Sequence, residues 1–358
     1  MPDRVATAID LMLRFADRTG ITSDRPGRRY LWTDAFAVCN FLGLARATGD
    51  PSHEALALRL VARVHEELGR YRSDDRRRGW LSGLSDEDAP KHPTRGGLRI
   101  GKPLPERGPT EPFDPELEWD RDGQYFHYLT KWMHALDRVA RATGDAKFNL
   151  WARELADASH RAFAIGSPGA RRMVWKLSVD LSRPLVPSMG QHDPLDGYVA
   201  CKELQATGRA VAPGTGPVLT EAEADFLRMI DREQLATTDP LGIGGLLADG
   251  RTLAQVDPDD ALLPWILDAA ARGLREYASG PSSMAPAHHR LAFRELGLAI
   301  GLAAVPAAPS RWNALREGIE AFWLRPEHRE SPAWREHRDI NEVMLATCLS
   351  PEGFLGAR

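Results

Sequence analysis

Three segments of this sequence place carboxylates beside imidazole and aromatic side chains. They run from residue 118 to 128, from 188 to 196 and from 334 to 342, each at the start of a stretch with helical periodicity. Acids and imidazoles at the entry to a buried helix can acquire divergent pKa values and act as general acid and base. The candidate catalytic residues are Asp34, Asp120, Asp122, His192, Asp193, His337 and Asp339.

Aromatic and charged residues near these segments are candidates for holding a substrate. Tyrosine and tryptophan rings present an apolar face and a polar edge, which suits contact with a ligand that is partly apolar and partly polar. The candidate substrate-binding residues are Trp32, Arg95, Lys102, Tyr125, His127, Trp175, Lys176, Asp239, Arg294 and Trp334.

Several of the same residues also have a purely structural interpretation. Asp193 is followed by Pro194, as in an N-cap with proline at the first helical position, and Asp120 or Asp122 could cap a helix too. Arg294 lies in an apolar stretch and needs an anionic partner, which we expect to be Glu295 or a neighbouring acid. Both interpretations stay open at this point.

The motifs of several enzyme classes are missing from the sequence. It contains no Walker A loop, no dinucleotide fingerprint after a strand, no HExxH, no GxSxG and no Cys/His set with zinc spacing. The glycine-rich stretch at 242–245 lacks a preceding strand, which favours close helix packing over a phosphate site. We therefore predict neither a metal nor a cofactor.

An internal repeat indicates how these residues are positioned. The hexapeptide ARATGD occurs at 45–50 and again at 140–145, and the same offset aligns Tyr30 with Tyr125 and His65 with His160. In each copy a periodic apolar stretch ends at Thr-Gly-Asp, where glycine supplies a left-handed residue and a second helix follows. The repeated unit is predicted to be a helical hairpin.

Periodicity predicts about twelve helices in two alternating classes and no strand of comparable length. Amphipathic, charged segments typical of outer helices run over 5–18, 53–71, 147–163, 220–234, 259–278 and 310–323. More apolar segments typical of inner helices run over 34–48, 122–143, 193–207, 240–248, 288–305 and 335–349. A long Pro/Gly-rich linker at about 72–121 is expected to be either an ordered flap near a pocket or a surface excursion.

Composition limits the remaining possibilities. The 358 residues are 43% hydrophobic, and 46 Lys+Arg against 50 Asp+Glu give a net charge of −4, which offers no general attraction to nucleic acid. The three cysteines are far apart and no apolar run reaches membrane-spanning length. We expect a soluble, cytoplasmic protein with no nucleic-acid or membrane partner, and the sequence leaves its oligomeric state undetermined.

The hairpin count, the alternation and the aromatic-acid motifs together resemble the six-hairpin, (α/α)6-toroid superfamily of glycosidases and sugar epimerases. The resemblance covers roughly residues 30–349, is architectural, and implies one toroid domain over 1–358. It also implies a carbohydrate site where loops lead into the inner helices. An open superhelix of hairpins is the alternative architecture.

Three functions follow from this interpretation. The first is a glycoside hydrolase with paired carboxylates; the basic residues Arg95, Arg99, Lys102, Lys176 and Arg183 favour an anionic sugar as its substrate. The second is a cofactor-independent sugar epimerase or isomerase that moves a proton with histidines. The third is a non-catalytic toroid that binds a glycan or a protein. A carbohydrate or another small molecule is the predicted substrate of either enzyme.

Overall fold

The structure is a computed structural model that describes residues 3–23, 27–167, 169–280, 285–305 and 307–356. Helices make up most of these residues. Twelve longer helices run over α1 Arg4–Arg18, α2 Leu31–Thr48, α3 Pro51–Leu68, α5 Phe126–Thr143, α6 Ala146–Phe163, α7 Asp193–Val211, α8 Thr220–Met229, α9 Pro240–Val256, α10 Leu263–Ser279, α11 Ala292–Ala303, α12 Ser310–Leu324 and α15 Arg338–Leu349. Four short helices run over α4 Pro115–Asp120, α13 Pro326–Arg329, α14 Pro332–Glu336 and α16 Glu352–Leu355. Each of the twelve predicted segments overlaps one longer helix, and α9 continues to Val256, beyond its predicted end at 248. The all-α fold class is confirmed.

The strands in the described residues are two or three residues long and lie between helices. They are β1 Gln124–Tyr125, β2 Ala164–Ile165, β3 Arg172–Met173, β4 Lys176–Leu177 and β5 Pro184–Val186. β4 pairs with β1 on one side and with β5 on the other, while β2 pairs with β3, and all three pairings are antiparallel. The β1–β4 pair matters most, because it joins the start of α5 to a distant loop.

The repeated ARATGD sequence is a helix-to-helix connector. Gly144 has a φ of +71° after the end of α5, and the Thr143 hydroxyl donates to a main-chain carbonyl one turn earlier at 2.8 Å. Asp145 then caps α6 by accepting the N–H of Lys147 at 3.1 Å. The copy at 48–50 repeats all three features, with a φ of +72° at its glycine. The predicted left-handed glycine and hairpin are confirmed.

Contacts divide the chain into two compact units. Unit 1 comprises Met1–Arg18, Cys39–Glu54 and Asp231–Arg358, and unit 2 comprises Thr19–Val38 and Ala55–Ile230. In unit 2, α5 packs against α6 and α7, and α7 packs against α8. In unit 1, α11 packs against α9, α12 and α15. The helix α10 also packs against α9, and α1 packs against α15. A single domain over 1–358 stays a prediction.

Burial distinguishes the two helix classes as expected. Every residue from 31 to 44, most of the inner helix α2, is buried. In the outer helix α1, the buried residues form one stripe, which consists of Ala8, Leu11, Met12, Phe15 and Ala16. An apolar stripe on an otherwise charged helix is what packing against one neighbour requires.

The glycine-rich stretch at 242–245 serves helix packing, as predicted. A Cβ on Gly244 of α9 would lie 2.1 Å from the carbonyl oxygen of Gly297 in α11. A Cβ on Gly301 would in turn lie 2.4 Å from the carbonyl oxygen of Gly244. The backbones of α9 and α11 approach so closely that no side chain fits between them.

The linker at 72–121 is anchored within unit 2. Arg77 pairs with Glu106 at 2.5 Å and with Asp180 at 2.9 Å, and α4 occupies the end of the linker. The indole of Trp80 is buried beneath the guanidinium of Arg70 at 4.2 Å. These contacts connect the linker to the loop that carries β4 and β5.

The three cysteines are free and buried. None of the helices described combines the length and apolar character needed to cross a lipid bilayer. No group of three or more His, Cys, Asp or Glu side chains in the described part of the chain is placed to hold a metal ion.

Candidate functional site

Four aromatic rings of unit 2 form a continuous group that we call the aromatic surface: Tyr30, Tyr125, Tyr128 and Trp175. The Tyr125 ring lies 5.1 Å from Trp175 and 5.3 Å from Tyr128, measured between ring centroids. Tyr30 meets Tyr128 edge-on at 5.5 Å, and the two hydroxyls share a hydrogen bond. Three of the rings are partly exposed, whereas Tyr125 is buried.

Short strand pairing assembles this surface. Tyr125 is the second residue of β1 and lies opposite Lys176 of β4, so Trp175 is brought next to it. Gly123, at a φ of +150°, allows the chain to enter β1 because a Cβ there would lie 2.6 Å from the carbonyl oxygen of Leu177. Tyr128 follows in the first turn of α5, and Tyr30 immediately precedes α2.

His127 and Asp193 form a pair beside the aromatic surface. The imidazole of His127 stacks on Trp175 at 6.1 Å with an angle of 10° between the rings. Its Nδ1 lies 3.9 Å from Oδ1 of Asp193. Neither Nδ1 of His127 nor Oδ2 of Asp193 has a hydrogen-bond partner among the described residues, although both atoms are buried. Such unsatisfied groups are costly in a folded protein and are frequently found at functional sites.

The surroundings shift the pKa values of the two groups in opposite directions. Burial raises the pKa of Asp193 to about 8, and the charge of Asp196 adds to this effect. A backbone hydrogen bond from Gly190 and the Lys131 ammonium oppose the rise in the pKa of Asp193. Burial lowers the pKa of His127 to about 4. At neutral pH the pair therefore consists of a protonated carboxylic acid and a neutral imidazole.

The loop before α7 keeps Asp193 covered. A Cβ on Gly190 would lie 2.4 Å from Oδ2 of Asp193, so only glycine lets the loop approach this closely. His192, not Asp193, occupies the N-cap position of α7, and it makes no capping hydrogen bond with its side chain. The capping interpretation of Asp193 is therefore wrong, and its carboxyl is available for another role.

Two residues of the pair's surroundings were absent from the predicted site. Lys131 contacts Asp196, with its Nζ 3.4 Å from Oδ1 of the carboxylate. Lys131 follows His127 by four residues on α5, and Asp196 follows Asp193 by three on α7. Spacings of three and four put side chains on one helix face, so this signal was present in the sequence. Tyr128, one position after His127, was also absent from the predicted site.

Lys102 lies at the far end of the aromatic surface. Its Nζ is 5.6 Å from the centroid of Tyr30 and 4.7 Å from that of Trp119, another residue missing from the predicted site. Asp120 ends α4 beside Trp119 and is exposed to solvent. The structure thus brings Lys102, Tyr125, His127, Trp175 and Asp193 into one unit and one continuous set of contacts.

Asp34 and Trp32 have structural contacts instead. Asp34 is buried and lies 3.4 Å from the guanidinium of Arg29. It also accepts the main-chain N–H of Tyr30 at 3.2 Å, which stabilises the first turn of α2. The Trp32 ring is buried 4.4 Å from Phe36.

Asp122 and Lys176 are fully buried, and each forms an ion pair with another residue, Asp122 with Arg99 and Lys176 with Glu118. Asp122 accepts from Arg99 at 2.6 Å and from the N–H of Gly101 at 3.0 Å, and α5 is preceded by Tyr125 with no side-chain cap. Neither Asp120 nor Asp122 caps α5, so that alternative is wrong. Lys176 uses its three donors within the protein, on the carbonyl and carboxylate of Glu118 and on the carbonyl of Arg121.

Arg95 makes an ion pair with a glutamate of α6. Its guanidinium lies 2.9 Å from Glu154, which also contacts His92 at 2.7 Å. These residues line a cavity of about 820 Å³ together with Asp157 and Arg161. Neither His127 nor Asp193 lines this cavity.

The other predicted residues belong to unit 1. Asp239 caps α9 by accepting the N–H of Gly242 at 2.9 Å and pairs with Arg294 at 2.6 Å. Glu295 pairs with Arg290, so of the two predicted possibilities for Arg294, Glu295 or a neighbouring acid, the partner is the acid Asp239.

Three predicted residues near the start of α15 are also in unit 1. Trp334 is buried and stacks on Trp323 at 5.6 Å. His337 precedes α15 and meets Phe293 edge-on at 5.7 Å, while Asp339 pairs with Arg18 at 2.7 Å. Asp339 therefore has an ion-pair role in the structure.

Comparison with known proteins connects this fold to solved enzymes. No protein-family model matches the sequence, and no curated protein matches it. The structure is similar to a GH76 alpha-mannanase from Bacteroides thetaiotaomicron, with a TM-score of 0.62 and 9% identity over 98% of this chain and 96% of that chain. It is also similar to a GH76A alpha-1,6-mannanase from Salegentibacter sp., with a TM-score of 0.55 and 10% identity over 99% and 100% of the two chains. The chain has the (α/α)6-toroid fold.

A third solved structure extends the likeness beyond mannanases. A cellobiose 2-epimerase from Spirochaeta thermophila matches with a TM-score of 0.53 and 13% identity over 96% of this chain and 97% of that chain. The resemblance to the six-hairpin glycosidases and epimerases is confirmed as a likeness of fold. At these identities it does not extend to the residues of the site.

Proposed function

We propose that this chain is a carbohydrate-active enzyme in which Asp193 acts as general acid. The observation that carries the proposal is the geometry of the His127–Asp193 pair: an imidazole and a carboxyl 3.9 Å apart beside the aromatic surface, each with a buried atom that has no hydrogen-bond partner among the described residues. Burial raises the pKa of Asp193 and lowers the pKa of His127. Pairs whose surroundings set their protonation states apart are the hallmark of acid–base catalysis. A purely glycan-binding protein would not need such a pair.

Glycoside hydrolysis is the first candidate reaction. It requires an acid with a raised pKa to protonate the leaving oxygen, which is the property of Asp193, and a second carboxylate that stays ionised. We propose Asp196 for the second role, because it lies one helical turn further along α7 and contacts Lys131. The aromatic surface would hold the sugar ring by stacking.

The solved relatives support a carbohydrate substrate while indicating different acids. An inactive variant of the Salegentibacter mannanase, with two adjacent aspartates replaced, forms a complex with alpha-1,6-mannotriose. In this chain, adjacent aspartates occur only at 74–75 and 259–260. Asp74 pairs with Arg72 at 2.7 Å, and Asp260 accepts the N–H of Leu262 at 2.9 Å. We therefore propose the α7 acids rather than an adjacent pair.

Sugar epimerisation is the second candidate, and His127 favours it. A neutral imidazole with an unpartnered Nδ1 is a suitable base for removing a proton from the carbon next to a sugar carbonyl. Asp193 would protonate the carbonyl oxygen in the same step. The likeness to cellobiose 2-epimerase supports this candidate at the level of fold.

The experiment is a substrate screen in deuterated water with matched variants. The purified protein is incubated with alpha-1,6-mannotriose, cellobiose and glucuronic acid-containing disaccharides. Release of new reducing ends indicates hydrolysis, and deuterium at C2 of the reducing sugar indicates epimerisation. Asp193→Asn should lower either rate by about 10²–10⁴-fold. Asp145→Asn, which keeps a capping side chain on α6, should leave the rate unchanged. Equal rates for the Asp193 variant and the wild type would contradict the proposal.

A further inference from the structure

Lys102 is a largely buried lysine whose ammonium reaches solvent and has no ion-pair partner among the described residues. The residue is 8% exposed, yet no carboxylate in the described ranges lies within 4 Å of its Nζ and no hydrogen bond from the ammonium is present there. Lys176, the other buried lysine of this region, donates to Glu118 and to two carbonyls. Burying a charge without a partner costs free energy, and this cost lowers the pKa of Lys102 to about 8.

Two aromatic rings enclose the Lys102 ammonium. Its Nζ lies over Trp119 at 4.7 Å and over Tyr30 at 5.6 Å from the ring centroids. Both distances are within the range of cation–π attraction, which holds the ammonium in place without neutralising it. The Tyr30 ring continues through Tyr128 to His127, so the cation is part of the same surface as the catalytic pair.

The charges around Lys102 leave an excess of positive charge. Arg28 and Lys176 act on Lys102 with the same sign, and Asp120 and Asp122 act with the opposite sign. Two of these four groups, Lys176 and Asp122, are buried and have ion-pair partners of their own. Lys176 is neutralised by Glu118 at 2.9 Å, and Asp122 by Arg99 at 2.6 Å.

The charges that remain are two cations, Lys102 and the exposed Arg28, and one anion, the exposed Asp120. Arg28 donates its Nε to the carbonyl of Gly101, which directs its guanidinium to the same short segment as Lys102. A ligand with one negative charge would complete this set.

We propose that Lys102 binds the carboxylate of a uronic acid unit whose ring stacks on Tyr30 and Trp119. The inference rests on the proposed carbohydrate-active function and names its substrate class. A carboxylate is planar and singly charged, so it fits one ammonium between two flat rings, whereas a phosphate dianion requires more donors. Asp193 and His127, at the other end of the aromatic surface, would act on the linkage or on the neighbouring sugar.

The test measures binding and does not require turnover. The ligands are matched pairs that differ only in the carboxylate: methyl α- and β-glucuronide against methyl α- and β-glucoside, with glucose 6-phosphate added. The variants are Lys102→Met and Lys102→Arg. Lys147→Met is the control, because Lys147 also lies near aromatic rings, Phe148 at 4.8 Å and Trp151 at 6.0 Å, but pairs with Asp145 at 2.7 Å. Affinities come from calorimetric titration, and circular dichroism checks that each variant is folded.

We expect the wild type to prefer a glucuronide over the matching glucoside by about tenfold, and Lys102→Met to abolish the preference. Lys102→Arg should retain part of it, and Lys147→Met should retain all of it. Added salt should weaken glucuronide binding more than glucoside binding.

Equal loss of glucoside and glucuronide affinity in Lys102→Met would overturn the uronate proposal. A Lys102-dependent affinity for glucose 6-phosphate without one for glucuronides would do so as well. Undetectable glucuronide binding by the wild type would also overturn it. If Asp193→Asn loses turnover but the wild type shows no preference for glucuronide over glucoside, the proposed function stands and the uronate proposal fails. If the Lys102-dependent preference for glucuronide is present but Asp193→Asn keeps its turnover, only the catalytic role of Asp193 is refuted.

Discussion

Nδ1 of His127 lies 3.9 Å from Oδ1 of Asp193, and the two residues come from the first turns of α5 and α7. The distance is longer than a hydrogen bond, so neither group neutralises the other in the ligand-free protein. Catalytic hydrogen bonds are often long without substrate and shorten in the reacting complex. The α5–α7 contact therefore holds an acid and a base close to each other, with neither consumed in a hydrogen bond to the other.

The pH dependence of activity should report both members of this pair. His127 must be neutral to act as base and Asp193 must be protonated to act as acid, so activity should rise through about pH 4 and fall through about pH 8. Turnover measured from pH 3 to pH 10 checks this profile. His127→Gln should remove the acidic limb from any residual activity, and Asp193→Asn the alkaline limb. A rate that keeps increasing beyond pH 9 would exclude Asp193 as the acid.

Asp193 should also make stability depend on pH. Its folded-state pKa of about 8 exceeds the unfolded value of about 3.9, so the folded protein binds more protons between these values. Stability therefore falls as pH rises through this range. His127, whose folded pKa is lowered to about 4, acts in the opposite direction below about pH 6.5. The window from about pH 6.5 to 8 thus isolates Asp193 from His127.

Urea unfolding at several pH values within that window measures the effect. The wild type should lose up to about 1.36 kcal/mol of unfolding free energy per pH unit more than Asp193→Asn does. Asp145→Asn should keep the wild-type slope, because Asp145 lies partly exposed at the N-cap of α6. Identical slopes for the wild type and Asp193→Asn would show that the carboxyl is already ionised at neutral pH.

Asp137 should be essential for stability although it lies outside the proposed site. It is fully buried on α5 and accepts from Arg141 at 2.7 Å, Asn149 at 3.0 Å and Thr207 at 2.8 Å. Asp137→Ala leaves these donors unsatisfied and should lower the unfolding free energy by about 3–5 kcal/mol. Asp157→Ala is the matched control, because it also removes an aspartate from a pair with an arginine four residues later, but Arg161 is exposed.

The control should lose less than about 1 kcal/mol, and chemical denaturation of both variants makes the comparison. Similar losses for the two would mean that burial of the Asp137 network contributes nothing beyond a surface ion pair.

Gly144, in the connector between α5 and α6, should accept a side chain only at a conformational cost. Gly144 has a φ of +71° and open space around it, so Gly144→Ala is strained by its backbone alone and should cost about 1 kcal/mol. Gly318 of α12 also has open space but helical backbone, and Gly318→Ala should stabilise by about 0.5–1 kcal/mol. Thermal unfolding of both variants compares them. A stabilised Gly144→Ala variant would contradict the left-handed assignment.

Local sequence signals were sufficient for the helices. The periodicity of the twelve segments and the Thr-Gly-Asp connectors depend on residues within a few positions of one another, so the pattern alone predicts where α5 ends and α6 begins. His127 and Asp193 were both in the predicted site, since an acid or imidazole at the entry to an apolar helix is visible in the sequence. Lys131 and Asp196 could have been found from their helical spacing.

Contacts between distant residues required the folded chain. Lys102 and Lys176 are both lysines in loop or strand segments. Lys176 donates to Glu118 and Arg121, whereas no carboxylate in the described ranges lies within 4 Å of the Lys102 ammonium. Asp239 and Arg294 pair across 55 residues of sequence, and Asp193 is freed from capping by the position of His192. Periodicity describes one helix at a time, whereas burial and charge pairing depend on which helices and loops meet. For this reason the sequence predicted the helices and most of the candidate residues. The tertiary contacts separated residues held in ion pairs, such as Asp122 and Lys176, from Asp193, His127 and Lys102.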